Sequence, residues 1–246
     1  MLISIKDLIK KSYELYAKNA KLFFTYAVIV SAPSIALSFL VTILRSVFNL
    51  QKVSLLTPLY AILFFALGVI SYFLSLWLSI AFIKTVSDKY NEKNTENIKK
   101  VIFDTKKLII PTLIVSILSG LAILGGLLLL VVPGIIFSIW FAFSFYVVVL
   151  DGKEGTEAMR ESKKLVEGRW FPTFIRLFAP SLLFLIISGI LQSPFSYIMA
   201  NSKSIFIGNI VGILSSIVSV MLAPFLVASQ AILYNELKKT RKIANS

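Results

Sequence analysis

This sequence predicts an all-α integral membrane protein with six transmembrane helices and amphipathic helices on its cytoplasmic surface. Apolar stretches of membrane-spanning length occur six times along its 246 residues. Lys and Arg are confined almost wholly to alternate segments between them, and hydrophobic residues make up 57% of the chain, above the share in a soluble domain.

Residues 1–21 read as an interfacial helix. Ile5, Leu8, Ile9, Ser12, Tyr16 and Ala20 share one face, while Asp7, Lys10, Lys11, Glu14, Lys18 and Lys21 share the other. That is the 3.6-residue period of a helix lying on a membrane. Residues 22–150 hold four spans, at Leu22 to Leu44, Leu59 to Ile83, Leu108 to Val132 and Gly134 to Leu150, each near or above the roughly 20 residues needed to cross the hydrocarbon core. A weaker amphipathic stripe, Ile98, Val101 and Ile102, precedes the third.

As one helix, Leu108 to Leu150 would be roughly 64 Å long, about twice the membrane thickness, so the chain turns back. Pro133-Gly134 is the expected turn, because proline disfavours helix at the residue before it and glycine accepts positive φ. Gly125-Gly126 leaves a re-entrant arrangement open. Residues 151–173 form another interfacial helix, with Ala158, Met159, Ser162, Leu165 and Val166 as its stripe, Glu157 favouring its start and Gly168 closing it. Residues 174–234 hold the last two spans, Phe174 to Gln192 and Ile205 to Tyr234, and residues 235–246 form a cytoplasmic tail. Pro33, Pro180 and Pro224 are expected to kink their spans. Ser12 to Leu15 and Ser162 to Leu165 echo one another, suggesting a repeated helix-plus-hairpin unit.

Orientation follows from the cations, since cytoplasmic segments retain Lys and Arg. Of the 25 Lys and Arg residues, 22 lie on one side and only Arg45, Lys52 and Lys203 on the other. Both termini are thus expected in the cytoplasm. All 12 acids fall on that same side. The cations are divided among four juxtamembrane segments and mixed with acids, a pattern suited to anionic lipid headgroups and not to nucleic acid. Lys10, Lys11, Lys99, Lys100, Lys163, Lys164 and Arg169 are the candidate lipid contacts. With no cysteine, disulfides and thiolate metal sites are excluded.

Catalytic groups are sparse. There is no histidine for proton transfer and no cysteine nucleophile. The acids show no metal-ligand spacing, and no catalytic, cofactor-binding or metal residue is assigned. Asp151, Glu154 and Glu157 read as residues that solvate a turn and start a helix. The span interiors hold no ionisable side chain, which argues against a proton relay. Gly208, Gly212 and Ser216, spaced by four, form a small-residue face expected to pack within the bundle, as do Ser116 and Gly120. Asn209 and Gln230 are expected to bond neighbouring helices, and Trp77, Trp140 and Trp170 to face lipid or mark the interface.

Leu127 to Trp170, LLLLVVPGIIFSIWFAFSFYVVVLDGKEGTEAMRESKKLVEGRW, resembles the signature of a broad prokaryotic membrane family whose members include the membrane domain of some bacterial glycerophosphodiester phosphodiesterases. The matching positions are Pro133-Gly134, Tyr146, Val147, Gly155, Glu157-Ala158, Ser162, Leu165 and Gly168 to Trp170. No catalytic barrel follows the spans, so the resemblance implies a fold and a membrane location but not the phosphodiesterase activity. The expected function is a non-enzymatic module that binds membrane lipids and organises or regulates a membrane protein partner. The alternatives are a passive channel or transporter for a lipid or small apolar solute, and an interfacial enzyme working through Asp151 or Glu157.

Overall fold

The computed structural model describes residues 2–48, 57–93, 97–202 and 205–244. Lys52 and Lys203 lie outside them, as do the side chains of Arg45 and Asn209. The described residues form helices α1 (Ile5–Lys18), α2 (Ala20–Phe48), α3 (Thr57–Tyr90), α4 (Ile98–Asp104), α5 (Ile109–Leu129), α6 (Val131–Trp140), α7 (Ser144–Asp151), α8 (Gly155–Val166), α9 (Trp170–Asn201) and α10 (Ile205–Ala244), with a tighter 3₁₀ turn at Thr105–Leu108. No strand occurs among them. The protein is a multi-pass membrane protein. Six helical stretches are long and apolar enough to cross a bilayer: Ala20–Leu40, Ala61–Tyr90, Ile98–Leu129, Val131–Asp151, Trp170–Asn201 and Ile210–Arg241.

Local chemistry sets the ends of α1. Ser4 caps it, its hydroxyl accepting from the Asp7 N–H at 3.0 Å, and Asn19 ends it by donating its side-chain amide to the Leu15 carbonyl at 3.0 Å. Leu8 and Ser12 are buried on its inner face. Ser12 and Ser162 are both buried, yet Ser12 bonds only its own helix, at the Leu8 carbonyl, while Ser162 bridges two others.

An in-helix proline lacks the N–H that would serve the carbonyl four residues back, and near each of these prolines a hydroxyl bonds a carbonyl of the preceding turn. Near Pro33, Ser75 of α3 donates to the Val30 carbonyl at 3.2 Å. Near Pro180 and Pro194, Ser181 and Ser193 serve the Leu177 and Ile190 carbonyls from within α9. Near Pro224, Tyr16 of α1 donates to the Met221 carbonyl at 3.0 Å. Pro33 and Pro224 thus each lie beside a hydrogen bond that joins their helix to another.

The chain turns back at Leu130, three residues before the expected site. Leu130 is extended, at φ −165° and ψ 152°, and its carbonyl accepts the first helical bond from the Gly134 N–H. Pro133 thus falls in the first turn of α6, where its missing N–H has no helical partner to lose. Gly134 has no positive φ. Its role is close approach: a Cβ there would lie 2.4 Å from the Leu127 side chain and 2.9 Å from the Leu127 nitrogen, and one on Gly126 would meet Gly134 at 3.0 Å. Gly126 and Gly134 are where α5 and α6 touch.

The expected fourth span, Gly134 to Leu150, is broken between α6 and α7 at residues 141–143. No proline or glycine lies there. Instead the buried Ser162 hydroxyl from α8 inserts into the ladder, accepting from the Phe143 N–H at 3.1 Å and donating to the Trp140 carbonyl at 2.6 Å. The expected tail is also helical. Asn235 to Ala244 continue α10, because the stretch carries good helix formers and no breaker.

Burial is lopsided. Phe23, Tyr26, Ile80, Val86, Phe143, Val147, Ile232, Tyr234 and Leu237 are fully or almost fully buried, and they come from the parts of α2, α3 and α10 nearest the charged segments and from α7 with its N-cap Phe143. Further along the spans large apolar residues are exposed, Phe65 at 75% and Leu185 at 66% among them, as lipid-facing side chains are.

Candidate functional site

The ionisable groups converge at the end of the bundle that holds the core. α8 follows Gly152, at φ 69°, and opens at Gly155, at φ 52°, and Gly168, at φ 76°, stands just past its end as its sequence predicts. Arg169 then turns back onto α10. Its Nε donates to the Leu165 carbonyl at 2.9 Å, Nη1 to Thr240 Oγ1 at 2.6 Å and Nη2 to the Leu237 carbonyl at 2.9 Å. Burial and the neighbouring Arg241 push its pKa down from the usual guanidinium value.

Between α8 and the end of α10 lies a cleft of about 560 Å³ with Leu150 and Leu165 as its apolar lining. Asp151, Lys153, Glu161, Lys238 and Arg241 supply its charges. Asp151 accepts from the Tyr234 hydroxyl at 2.8 Å and from the Lys238 ammonium. Glu161 serves Lys164 at 2.9 Å, Arg241 at 2.9 Å and Lys153 at 3.7 Å, while Lys153 also reaches Glu157 at 3.0 Å. The Lys164 ammonium foremost, then Arg241, holds the Glu161 carboxyl down at about 2, against the desolvation that would raise it. The Glu157 carboxylate foremost raises the pKa of Lys153.

A second cluster joins α1, α3 and α10. Tyr90 donates to Glu236 at 2.5 Å, with Lys11 at 3.9 Å and Lys239 at 3.5 Å from that carboxylate. Beside it Asn235 bonds Ser87 and Asn91 at 3.1 Å each. Arg176 ties in the N-terminus by donating to the Ile3 carbonyl at 2.6 Å.

The candidate lipid contacts therefore divide. Lys10, Lys99 and Lys100 are exposed, Lys10 loosely paired with Glu14 at 3.8 Å. Lys11 reaches Glu236, Lys163 lies 4.3 Å over the Trp140 ring, Lys164 binds Glu161, and Arg169 is an internal fastener. Asp151 does not solvate a turn as expected. It ties α7 to α10, a link across 87 residues that no local pattern reveals. Lys238 and Arg241 belong to the expected cytoplasmic tail, and α10's continuation is what brings them to the cleft.

The tryptophans are engaged within the chain and are not simply lipid-facing. Trp77 donates to the Ile102 carbonyl at 2.7 Å, and Trp170 stacks on Phe174 with centroids 5.7 Å apart. Gln230 accepts from the Tyr146 hydroxyl at 3.0 Å, joining α7 and α10 as expected. Among the described residues, nothing packs closely against Gly208, Gly212 and Ser216 as expected. A Cβ on either glycine would meet nothing within 4 Å, as would one on Gly120, and Ser216 is exposed with its hydroxyl on its own helix at the Gly212 carbonyl.

A family described as Domain of unknown function (DUF8558) matches residues 99–241, more than half of the chain, and the chain belongs to that family. The matched stretch contains every charged residue of the cleft, whereas α1 precedes it. No curated protein and no solved structure matches the chain.

Proposed function

We propose that this protein, a member of the DUF8558 family, is a non-enzymatic membrane module that binds lipid at its charged end and organises or regulates a membrane partner. The observation that carries the reading is the gathering of cations at one end of a six-span bundle. Exposed Lys6, Lys10 and Lys18 on α1 and Lys99 on α4 supplement the cleft. The reading sets that end against the inner face of a prokaryotic cytoplasmic membrane, because 22 of the 25 Lys and Arg residues lie on that side and anionic headgroups attract them by roughly 1 kcal/mol each. The reading also takes the resemblance expected from Leu127 to Trp170 to the phosphodiesterase-associated membrane domains as pointing to that location. The pairing of Asp151 with Lys238 and Tyr234 weighs against its use as a general base.

Native mass spectrometry of the protein released from nanodiscs of its own membrane lipids tests the reading. A defined lipid or membrane protein retained at fixed stoichiometry is the expected result. A bare monomer or dimer under conditions that preserve other lipid complexes would overturn it and direct attention to flux in proteoliposomes.

A further inference from the structure

We propose that the cleft between α8 and the end of α10 is a binding site for a phosphate-bearing headgroup, with Lys153, Lys238 and Arg241 as the groups that hold the phosphate. The inference rests on the lipid-binding reading above and assigns that reading a place and a chemistry.

Positive charge is left over in the cleft. The network there joins four cations, Lys153, Lys164, Lys238 and Arg241, to three carboxylates, Asp151, Glu157 and Glu161. One positive charge remains. Glu161 alone serves three of the cations. Arg169, whose neighbour is Arg241, bonds two carbonyls, Leu165 and Leu237, and the Thr240 hydroxyl, and no carboxylate. A phosphodiester carries one negative charge at neutral pH and so matches the surplus.

Donors are left over as well. Of the five N–H donors of a guanidinium, Arg241 commits Nη1 to Glu161, and the fork geometry suits the remainder to a phosphate. Lys238 bonds Asp151 alone among these partners, and Lys153 stands at the rim with 35% of its side chain exposed. The volume of about 560 Å³ exceeds what one ion needs, and Leu150 and Leu165 give it an apolar lining. That combination suits the carbon part of a phosphate ester beside its charged end. Ordinary salt bridging accounts for each pair in the cleft but not for the surplus of charge and donors.

The test is calorimetric titration of the full-length protein in a neutral maltoside detergent, with short-chain phosphatidylglycerol as the probe. Wild type is expected to bind one equivalent, and Arg241→Gln and Lys153→Gln to bind at least tenfold more weakly. Lys153→Gln keeps the test valid if Arg241→Gln unfolds, since Lys153 lies at the rim, and circular dichroism checks both. Lys93→Gln, at an exposed lysine outside the cleft that pairs with Asp88, is expected to leave this binding unaltered. Displacement of the probe by millimolar inorganic phosphate would support a site for the phosphate group from any source, and failure of displacement a site for the lipid headgroup. Wild-type affinity in both folded cleft variants would overturn the assignment while leaving lipid binding elsewhere intact. A wild-type protein that binds no anionic probe would overturn the assignment too, and retention of some other lipid in native mass spectra would then tell its failure from that of the broader reading.

Discussion

Replacing Gly134 by alanine probes the helix contact on which the reversal of the chain depends. The added Cβ would stand 2.9 Å from the Leu127 backbone nitrogen, against about 3.4 Å for ordinary contact, so the backbones of α5 and α6 must separate by roughly half an ångström. The Leu127 side chain, met at 2.4 Å, must also leave its rotamer. Overpacking of this kind costs about 1–3 kcal/mol. Gly208 and Gly212 are the internal controls: a Cβ at either meets nothing within 4 Å, and alanine there should be neutral or stabilise the helix by up to about 1 kcal/mol. Unfolding by sodium dodecyl sulfate in mixed micelles, followed by tryptophan fluorescence with Trp140 at the end of α6 as a reporter, measures all three. A Gly134→Ala protein as stable as wild type, or a Gly212→Ala protein equally damaged, would refute the reasoning.

Ser162→Ala should destabilise by about 1–3 kcal/mol in the same assay, because it strands the buried Phe143 N–H and the Trp140 carbonyl at the break between α6 and α7. Tyr16→Phe removes the hydroxyl from the Met221 carbonyl beside Pro224 and should cost about 0.5–1.5 kcal/mol, with faster amide exchange in the turn around Phe225 by mass spectrometry. Glu161 has its pKa lowered to about 2 in the fold, so its contribution is complete above the ordinary value of 4.5 and is lost as pH falls from 4.5 toward 2. Melting temperature should therefore fall more steeply across that window in wild type than in Glu161→Gln, and parallel curves would contradict the ion-pair account.

The spans were legible because the bilayer imposes a length and an apolar composition on each of them, and that constraint is local in sequence. Gly168 and Glu157 were legible for a similar reason, since helix ends are written in single residues. Pro133-Gly134 was visible as a landmark but misread: proline is tolerated throughout the first helical turn, so the pair can lie just inside a helix as well as in the turn before it. The same glycine chemistry gave opposite outcomes at Gly134 and Gly212, because only the neighbouring helix decides whether a missing Cβ is used. The cleft left almost no trace. Asp151 with Lys238 and Glu161 with Arg241 are paired across 87 and 80 residues, and the helical continuation of α10 is what aligns them.

On the proposed function the charged end of the bundle faces an anionic inner leaflet, and its sidedness can be measured directly. The chain has no cysteine, so single reporters at exposed Thr156 and Asn201 can be labelled without background. An impermeant maleimide applied to intact cells should modify Asn201→Cys, and should modify Thr156→Cys only after permeabilisation. Labelling of Thr156→Cys in intact cells, with Asn201→Cys protected, would put the cleft and its cations on the outer face and contradict the account.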